Sequence, residues 1–367
     1  MMNSLNGSVL LVETHNASNV TEYSYIPYHQ RLETYILPII FAIIFFVGLI
    51  GNGTLVYIFL HNRTMRSVPN IYIMSLALGD LIVIVGNVPF TSTIYLFDAW
   101  PYGEFICKLS EFLRDVSIAV TVLTLTMLSV DRYIAIALPI QKVTGSHAKT
   151  LTVVIAIFIW CVSVAISVPG AYYSFLLEMR VDNDKVVYVC YPFPENMSPW
   201  YPRTMVLLKF LSLYVVPLSI IASFYVLMAK QLLKSTKNTV GQNDSHTKQL
   251  KARIKVAKIV LVFVFVFAIC FFPNQVFLMW FYFYPNAGDH YNDFWHILKM
   301  SGYVLTFVNS CLNPIALYFI SGVYRKYYKR YLCCCHNEIH KNTMVVFRTL
   351  HTTSVRNHSL GTTITKI

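Results

Sequence analysis

The amino-acid sequence predicts an all-α membrane protein, a seven-transmembrane helix bundle followed by a short amphipathic eighth helix. Three observations carry that expectation: an apolar composition, seven apolar segments long enough to cross a bilayer, and basic loops gathered on one side. Of 367 residues, 56% are hydrophobic and only 13% are charged, against roughly 45–50% and 25% in soluble globular proteins. So few charges cannot cover a water-exposed surface of this size. The apolar content also excludes disorder and collagen-like repeats, and 8 cysteines are too few for a disulfide-stapled secreted module. The formal net charge of +12 raises nucleic acid as a partner, so the placement of that charge decides.

A helix needs roughly 20 apolar residues to span a hydrocarbon core about 30 Å thick. Segments 36–60, 70–97, 105–137, 149–171, 204–229, 254–284 and 292–320 meet that length. The second, third, sixth and seventh exceed it, so tilt or projection past the bilayer is expected. Pro89, Pro169, Pro217, Pro273 and Pro314 fall inside spans, where neighbouring helices and polar side chains satisfy the carbonyls that proline frees. No alternating ten-residue strand pattern is present, which argues against a membrane β-barrel. No internal repeat is visible, which weakens a transporter built of two related halves.

Loop charge sets the orientation. Segments 61–69, 138–149, 230–258 and 321–367 hold twenty Lys and Arg, with Asp244 and Glu338 as their only acids. Segments 1–35, 98–106, 172–203 and 285–296 hold four basic and eleven acidic residues. The first set is therefore cytoplasmic and the N-terminus lies outside, as in a multi-pass protein of the plasma membrane. The surplus positive charge belongs to the inner face, where anionic membrane lipid attracts it, and a nucleic-acid partner loses its support. Three regions follow: an outer tail at 1–34, a membrane domain at 35–332 and a cytoplasmic tail at 333–367. The tail's one apolar stretch, Val9–Val12, is too short for a signal-peptide core, so the first span is expected to direct insertion. Asn6, Asn16, Asn19 and Asn196 begin glycosylation sequons on the outer side. Asn62, Asn243 and Asn357 lie inside and Asn52 within a span, so they are expected to stay bare.

Cysteines sort by compartment. Cys107 opens the third span on the outer side and Cys190 lies in the longest outer loop; no other cysteine faces the oxidising space. One disulfide between them is expected. Cys333, Cys334 and Cys335 follow the basic amphipathic stretch Val323–Leu332, a setting for palmitoylation. Three consecutive cysteines with His336 would close a tetrahedral zinc site poorly.

Polar residues at membrane depth point to function. Asp80 sits mid-span, where a charge costs at least ~2.5 kcal/mol. Asn52, Thr121, Asn309, Ser310 and Asn313 lie near the middle of their own spans. Neutral oxygens around one carboxylate suit a small hard cation such as sodium or a protonated, hydrogen-bonded acid, with a purely structural network as the alternative. In the outer half of the third span, Lys108, Glu111 and Asp115 share one helical face with Arg114 beside it. Lys209 and Lys299 stand near the outer ends of the fifth and seventh spans. This is too much charge for lipid contact and predicts an aqueous cleft, although Lys209 alone would also read as a snorkelling anchor. Asp131-Arg132-Tyr133 closes the third span at the inner surface, with 25 residues from Cys107 to Arg132.

These residues together resemble the rhodopsin-like (class A) G-protein-coupled receptors over roughly 35–332. The landmarks fall one per span: Gly51-Asn52; Leu76-Ala77-Leu78-Gly79-Asp80; Asp131-Arg132-Tyr133; Trp160; Pro217 with Tyr225; Phe267 to Pro273; and Asn313-Pro314. Within that class the chain looks most like the bombesin-receptor-related neuropeptide receptors, and among them the insect CCHamide receptors. The stretches carrying this are Cys107–Ser117, Trp280–Pro285 with Tyr291–His296, and Asn309–Tyr318. Three departures stand out. Phe271 replaces the usual tryptophan two residues before Pro273. Leu317 takes the place of the usual tyrosine, with Tyr318 one position later, as in bombesin-type receptors. The sixth span opens on Arg253, Lys255 and Lys258 without an acid.

The resemblance implies an extracellular neuropeptide, CCHamide-like or bombesin-like, as ligand. Glu111, Arg114, Asp115, Lys209, Asn274, Gln275, Lys299 and Tyr303 are its candidate contacts. It implies a heterotrimeric G protein as inner partner, with arrestin and a receptor kinase. The candidate coupling and switch residues are Asp131, Arg132, Tyr133, Tyr225, Phe267, Phe271, Pro273, Asn313, Pro314 and Tyr318. Sodium is the one cofactor expectation, at Asp80, Thr121, Asn309, Ser310 and Asn313. With no carboxylate facing Arg132 from the sixth span, raised ligand-free signalling is expected. An orphan class A receptor for another amidated peptide is the nearest alternative. An opsin needs a mid-span lysine in the seventh span, where Phe307 stands. An intramembrane aspartyl protease needs two facing carboxylates, and Asp80 has no second aspartate at its depth. No enzymatic activity is expected.

Overall fold

A computed structural model describes residues 11–15, 21–25, 30–97, 99–137, 146–181, 185–194, 197–198, 200–237 and 244–332. Among them seven helices are long and apolar enough to cross a membrane: Glu33–His61, Val68–Phe97, Gly103–Ala137, His147–Tyr173, Trp200–Leu233, Ala252–Phe283 and Asp293–Ile320. Each falls within four residues of its expected limits. An eighth helix, Gly322–Leu332, buries Tyr324 and Tyr328 and exposes basic residues. The chain divides after Ala316 into two compact units; the contacts below are internal to one or the other. Asn6, Asn16, Asn19 and Asn196, and Cys333, Cys334 and Cys335, lie outside the described residues.

The helical period separates a lipid face from a packed face. In the first span Leu37, Phe41, Ile44, Gly48, Asn52 and Leu55 are buried. Ile39, Ile43, Phe46 and Ile50, displaced by part of a turn, are exposed. The third span is central and packs against the second, fourth, fifth and sixth. Phe41 of the first span meets Phe307 of the seventh edge-on at 5.6 Å, in a cluster with Ile84 and Tyr95 of the second. Trp160 ties the fourth span to the second, its indole N–H donating to the Ser75 hydroxyl at 3.0 Å.

The prolines act in two ways. Pro169, Pro273 and Pro314 sit inside continuous helices. The second span instead breaks at Asn87, just before Pro89, and the fifth widens into a π-helical stretch, Leu211–Val215, just before Pro217. Proline lacks an N–H and crowds the preceding turn, and a π-bulge accommodates that locally. At the break Asn87 donates its side-chain amide to the Ser110 carbonyl at 2.7 Å and accepts from the Thr91 hydroxyl at 2.7 Å. The third span thus fixes the bend in the second.

Two antiparallel hairpins add to the expected all-helical picture. β1 (Leu11–His15) pairs with β2 (Thr21–Tyr25) within the tail. β3 (Phe175–Val181) pairs with β4 (Lys185–Tyr191) in the longest outer loop. In β4, Val187 and Val189 are buried while Val186 and Tyr188 are exposed, the two-residue period of a half-covered strand. The alternation was present in the sequence, but spans only seven residues beside segments three to four times longer. The Cys107–Cys190 disulfide forms as expected, with Cα atoms 5.5 Å apart. The Trp100 amide donates to the Tyr188 carbonyl at 2.8 Å, so β4 is held to the first outer loop as well as to the third span.

Candidate functional site

An outer cleft of about 300 Å³ opens between the second, third, fifth, sixth and seventh spans under β4. All eight ligand candidates line it: Glu111, Arg114, Asp115, Lys209, Asn274, Gln275, Lys299 and Tyr303. The helical face read from the third span therefore does meet the lysines of the fifth and seventh. Lys108 is the exception: it pairs with Glu104 one turn above at 2.6 Å and is not among the lining residues. Sharing a helical face set its direction, but its height places it at the rim.

The cleft's charges are organised in pairs. Arg114 bonds Glu111 on its own helix, and the Tyr303 phenol stands beside Arg114 and Thr91. Lys209 Nζ donates to Asp115 Oδ2 at 2.5 Å, linking the fifth span to the third. This identifies Lys209 as a cross-helix partner rather than an anchor. A fourth-span glycine makes room for the pair: a Cβ on Gly170 would lie 2.8 Å from Asp115 Oδ2 and 3.5 Å from Lys209 Nζ. Lys299 Nζ lies 5.9 Å from the centre of the Phe277 ring, within cation–π range. Above it Trp280 and Trp295 stack at 3.8 Å, nearly parallel, joining the outer ends of the sixth and seventh spans. His296 bonds Glu33 at the start of the first span and meets the Tyr291 hydroxyl at 3.1 Å. Burial pushes the Tyr291 phenol up, and the Glu33 charge adds to that.

At mid-depth Asp80 is fully buried, and Asn313 donates to its Oδ2 at 2.8 Å. Its Oδ1 has no hydrogen-bond partner among the described residues. Ser310 stands beside the carboxyl and, with Thr121 and Asn309, lines a small cavity. Asn52 turns elsewhere, donating to the Gly48 and Ser310 carbonyls at 3.1 and 2.8 Å. No cluster of three His, Cys, Asp or Glu occurs among the described residues. One oxygen of the buried carboxylate is left open at mid-depth. Toward the fifth span, Phe267 and Phe271 lie 4.5 Å apart below Pro273. Tyr214, inside the π-helical stretch, donates to the Ala268 carbonyl at 2.9 Å.

The inner ends of the third, fifth and sixth spans pack together. Ile136, Met228 and Ala257 of the third, fifth and sixth spans form an apolar cluster flanked by Tyr133 and Tyr225. Tyr225 donates its hydroxyl to the Ala257 carbonyl at 2.7 Å. Arg132 is buried and paired with Asp131 beside it; its Nε has no partner among the described residues. Tyr318 meets Tyr328 edge-on at 6.1 Å within the second unit.

A polar cleft at one end, a buried aspartate at mid-depth and a buried arginine beside an apolar cluster at the other end are the arrangement of a receptor bundle. The family model for 7 transmembrane receptors (rhodopsin family) matches residues 51–318. The chain belongs to that family. It is 49% identical to the neuropeptide CCHamide-1 receptor of Drosophila melanogaster over 333 residues, covering 88% of this chain and 66% of that receptor. It is 37% identical to the [Phe13]-bombesin receptor of Bombina orientalis, covering 83% of this chain and 77% of that one. This receptor is thus a multi-pass protein of the plasma membrane, and the resemblance read from its motifs holds.

The motifs do not mark several residues that hold the cleft and its helices together. Asn87 with Thr91, Gly170, Tyr214 and Arg203 emerge only from the structure. Arg203 donates to the Tyr282 carbonyl at 2.9 Å, tying the outer ends of the fifth and sixth spans.

Proposed function

We propose that this receptor binds an extracellular neuropeptide of the CCHamide or bombesin type and transmits its binding to a heterotrimeric G protein. The observation that carries the reading is the convergence of eight polar and charged side chains from four spans in one cleft beneath a disulfide-held hairpin. A retinal chromophore would find Phe307 buried at the depth where its lysine belongs.

The ligand acts by differential affinity for two arrangements of the bundle. Its charged side chains exchange with the Glu111–Arg114 and Asp115–Lys209 pairs, and a neutral carboxamide end hydrogen-bonds Asn274 and Gln275. Asn274 and Gln275 directly follow Pro273, so occupancy of the cleft bears on the sixth span at its weakest turn. Outward motion of that span would part Ile136, Met228 and Ala257 and uncover Arg132 for a helix-in-groove contact with the G protein. A sodium ion held by Asp80, Thr121, Asn309, Ser310 and Asn313 would neutralise the buried carboxylate and favour the closed bundle. Arrestin and a receptor kinase act on the same inner surface and tail. Glycans on the outer asparagines and palmitate on Cys333–Cys335 complete the reading.

Cells expressing the chain, with calcium and cyclic AMP recorded against a set of amidated neuropeptides, test it. A CCHamide should give a saturable response absent from untransfected cells. A response to none, from receptor present at the surface, would defeat the ligand assignment.

A further inference from the structure

In an α-helix the Ala135 carbonyl, near the inner end of the third span, would accept from the N–H four residues on, but that residue is Pro139, which has none. Arg253, at the start of the sixth span, donates Nη1 to this carbonyl at 2.7 Å. A cation here would ordinarily read as a lipid-facing or partner-facing charge. Its side chain is instead half-buried and reaches across to the neighbouring helix, beside the Ile136–Met228–Ala257 cluster. The carboxylate that Arg132 lacks on the sixth span is therefore not the only means of joining these helices. The same end is joined with the polarity reversed, by a cation on the sixth span and an acceptor on the third.

We propose that Arg253 is a positioning residue for G-protein coupling: its bond to the Ala135 carbonyl holds the inner ends of the third and sixth spans together until agonist binds. The proposal rests on the receptor reading above. It reverses the expectation of raised ligand-free signalling, because the missing ion pair is replaced by a charge-assisted hydrogen bond. Such bonds are among the stronger ones in proteins. The acceptor is a main-chain oxygen that no substitution at Ala135 removes, so the side chain of Arg253 is where the tie can be cut.

Arg253→Ala and Arg253→Met, the latter keeping an apolar stem without its cationic head, would be compared with the unmodified receptor at matched surface density. Both should raise ligand-free second-messenger output, by about tenfold if one charged hydrogen bond biases the closed state, and leave the maximal agonist response unchanged. Arg253→Lys, which retains a cationic donor, should lie nearer the parent. Unchanged ligand-free output in both variants would overturn the proposal. So would loss of the maximal response, which would make Arg253 a contact of the partner protein. A Met variant that behaves as the parent would overturn it too, since the stem alone would then suffice. Spin labels at the exposed positions Ile134 and Lys255 give a second reading that needs neither ligand nor G protein. In Arg253→Met their separation should lengthen, and an unchanged separation would count against the tie even in a receptor whose ligand is something else.

Discussion

The two ends of the bundle are held by different chemistry. At the outer end the cleft is lined by side-chain ion pairs, Arg114 on Glu111 within the third span and Lys209 on Asp115 between the fifth and the third. His296 on Glu33 and Arg203 on the Tyr282 carbonyl tie the spans at its rim. At the inner end the ties run from a side chain to a main-chain carbonyl, Tyr225 to Ala257 and Arg253 to Ala135, around an apolar cluster. A charged ligand can exchange with an ion pair without moving a helix, because it brings a replacement partner. A bond to a carbonyl breaks only when the helices part. The outer end is built to be competed for, and the inner end to be pulled open.

That contrast can be broken at several points. The largest effect is expected from Cys190→Ala. Losing a disulfide that closes a long loop costs about 2–5 kcal/mol, and here it frees β4 from the third span. Agonist potency should fall by ~100-fold or more, read as a shift of the calcium dose–response curve at matched surface density. Retained potency would mean that β4 does not shape the cleft.

Gly170→Ala should come next. It adds a methyl 2.8 Å from Asp115 Oδ2, where the ion pair must shift or break, and about tenfold in potency is expected from displacing one charged contact. The effect should shrink when Asp115→Asn is already present, because neighbouring sites sharing one contact are not additive. Equal losses in both backgrounds would place the strain elsewhere.

A smaller loss is expected from Trp295→Leu, which removes the stack on Trp280. Aromatic pairs contribute about 0.5–1.5 kcal/mol beyond their burial, so the midpoint of thermal unfolding of the solubilised receptor should drop by a few degrees. The smallest effect belongs to Tyr225→Phe at the inner end. It deletes one neutral hydrogen bond, about 1 kcal/mol, and ligand-free signalling should rise by no more than severalfold. A fall would assign the hydroxyl to the open bundle instead.

Much of this was legible in the sequence, for identifiable reasons. Bilayer thickness fixes span length, so all seven spans could be bounded from hydropathy. Compartment alone singled out Cys107 and Cys190. The 3.6-residue period placed Glu111, Arg114 and Asp115 toward one cleft, though it could not show that Lys108 stands too high to line it. What stayed hidden was pairing. Lys209 as anchor and Lys209 as partner of Asp115 look alike until the fifth span is packed against the third. Gly170 contributes an absence of side chain, which no pattern of residue types reports. Arg253 bonds a main-chain oxygen, and carbonyls carry no residue identity to search for. The β3–β4 hairpin is faint in the sequence because two seven-residue strands compete poorly with apolar runs of about thirty.

Occupancy of the outer cleft should govern the separation of the inner ends of the third and sixth spans. Spin labels at Ile134 and Lys255 in the solubilised receptor, with and without a saturating CCHamide, measure this directly. The separation should lengthen when the peptide binds, and the same peptide concentration should leave it unchanged in a receptor carrying Glu111→Gln and Asp115→Asn. A separation that ignores bound peptide, or that lengthens equally in the double variant, would contradict the account.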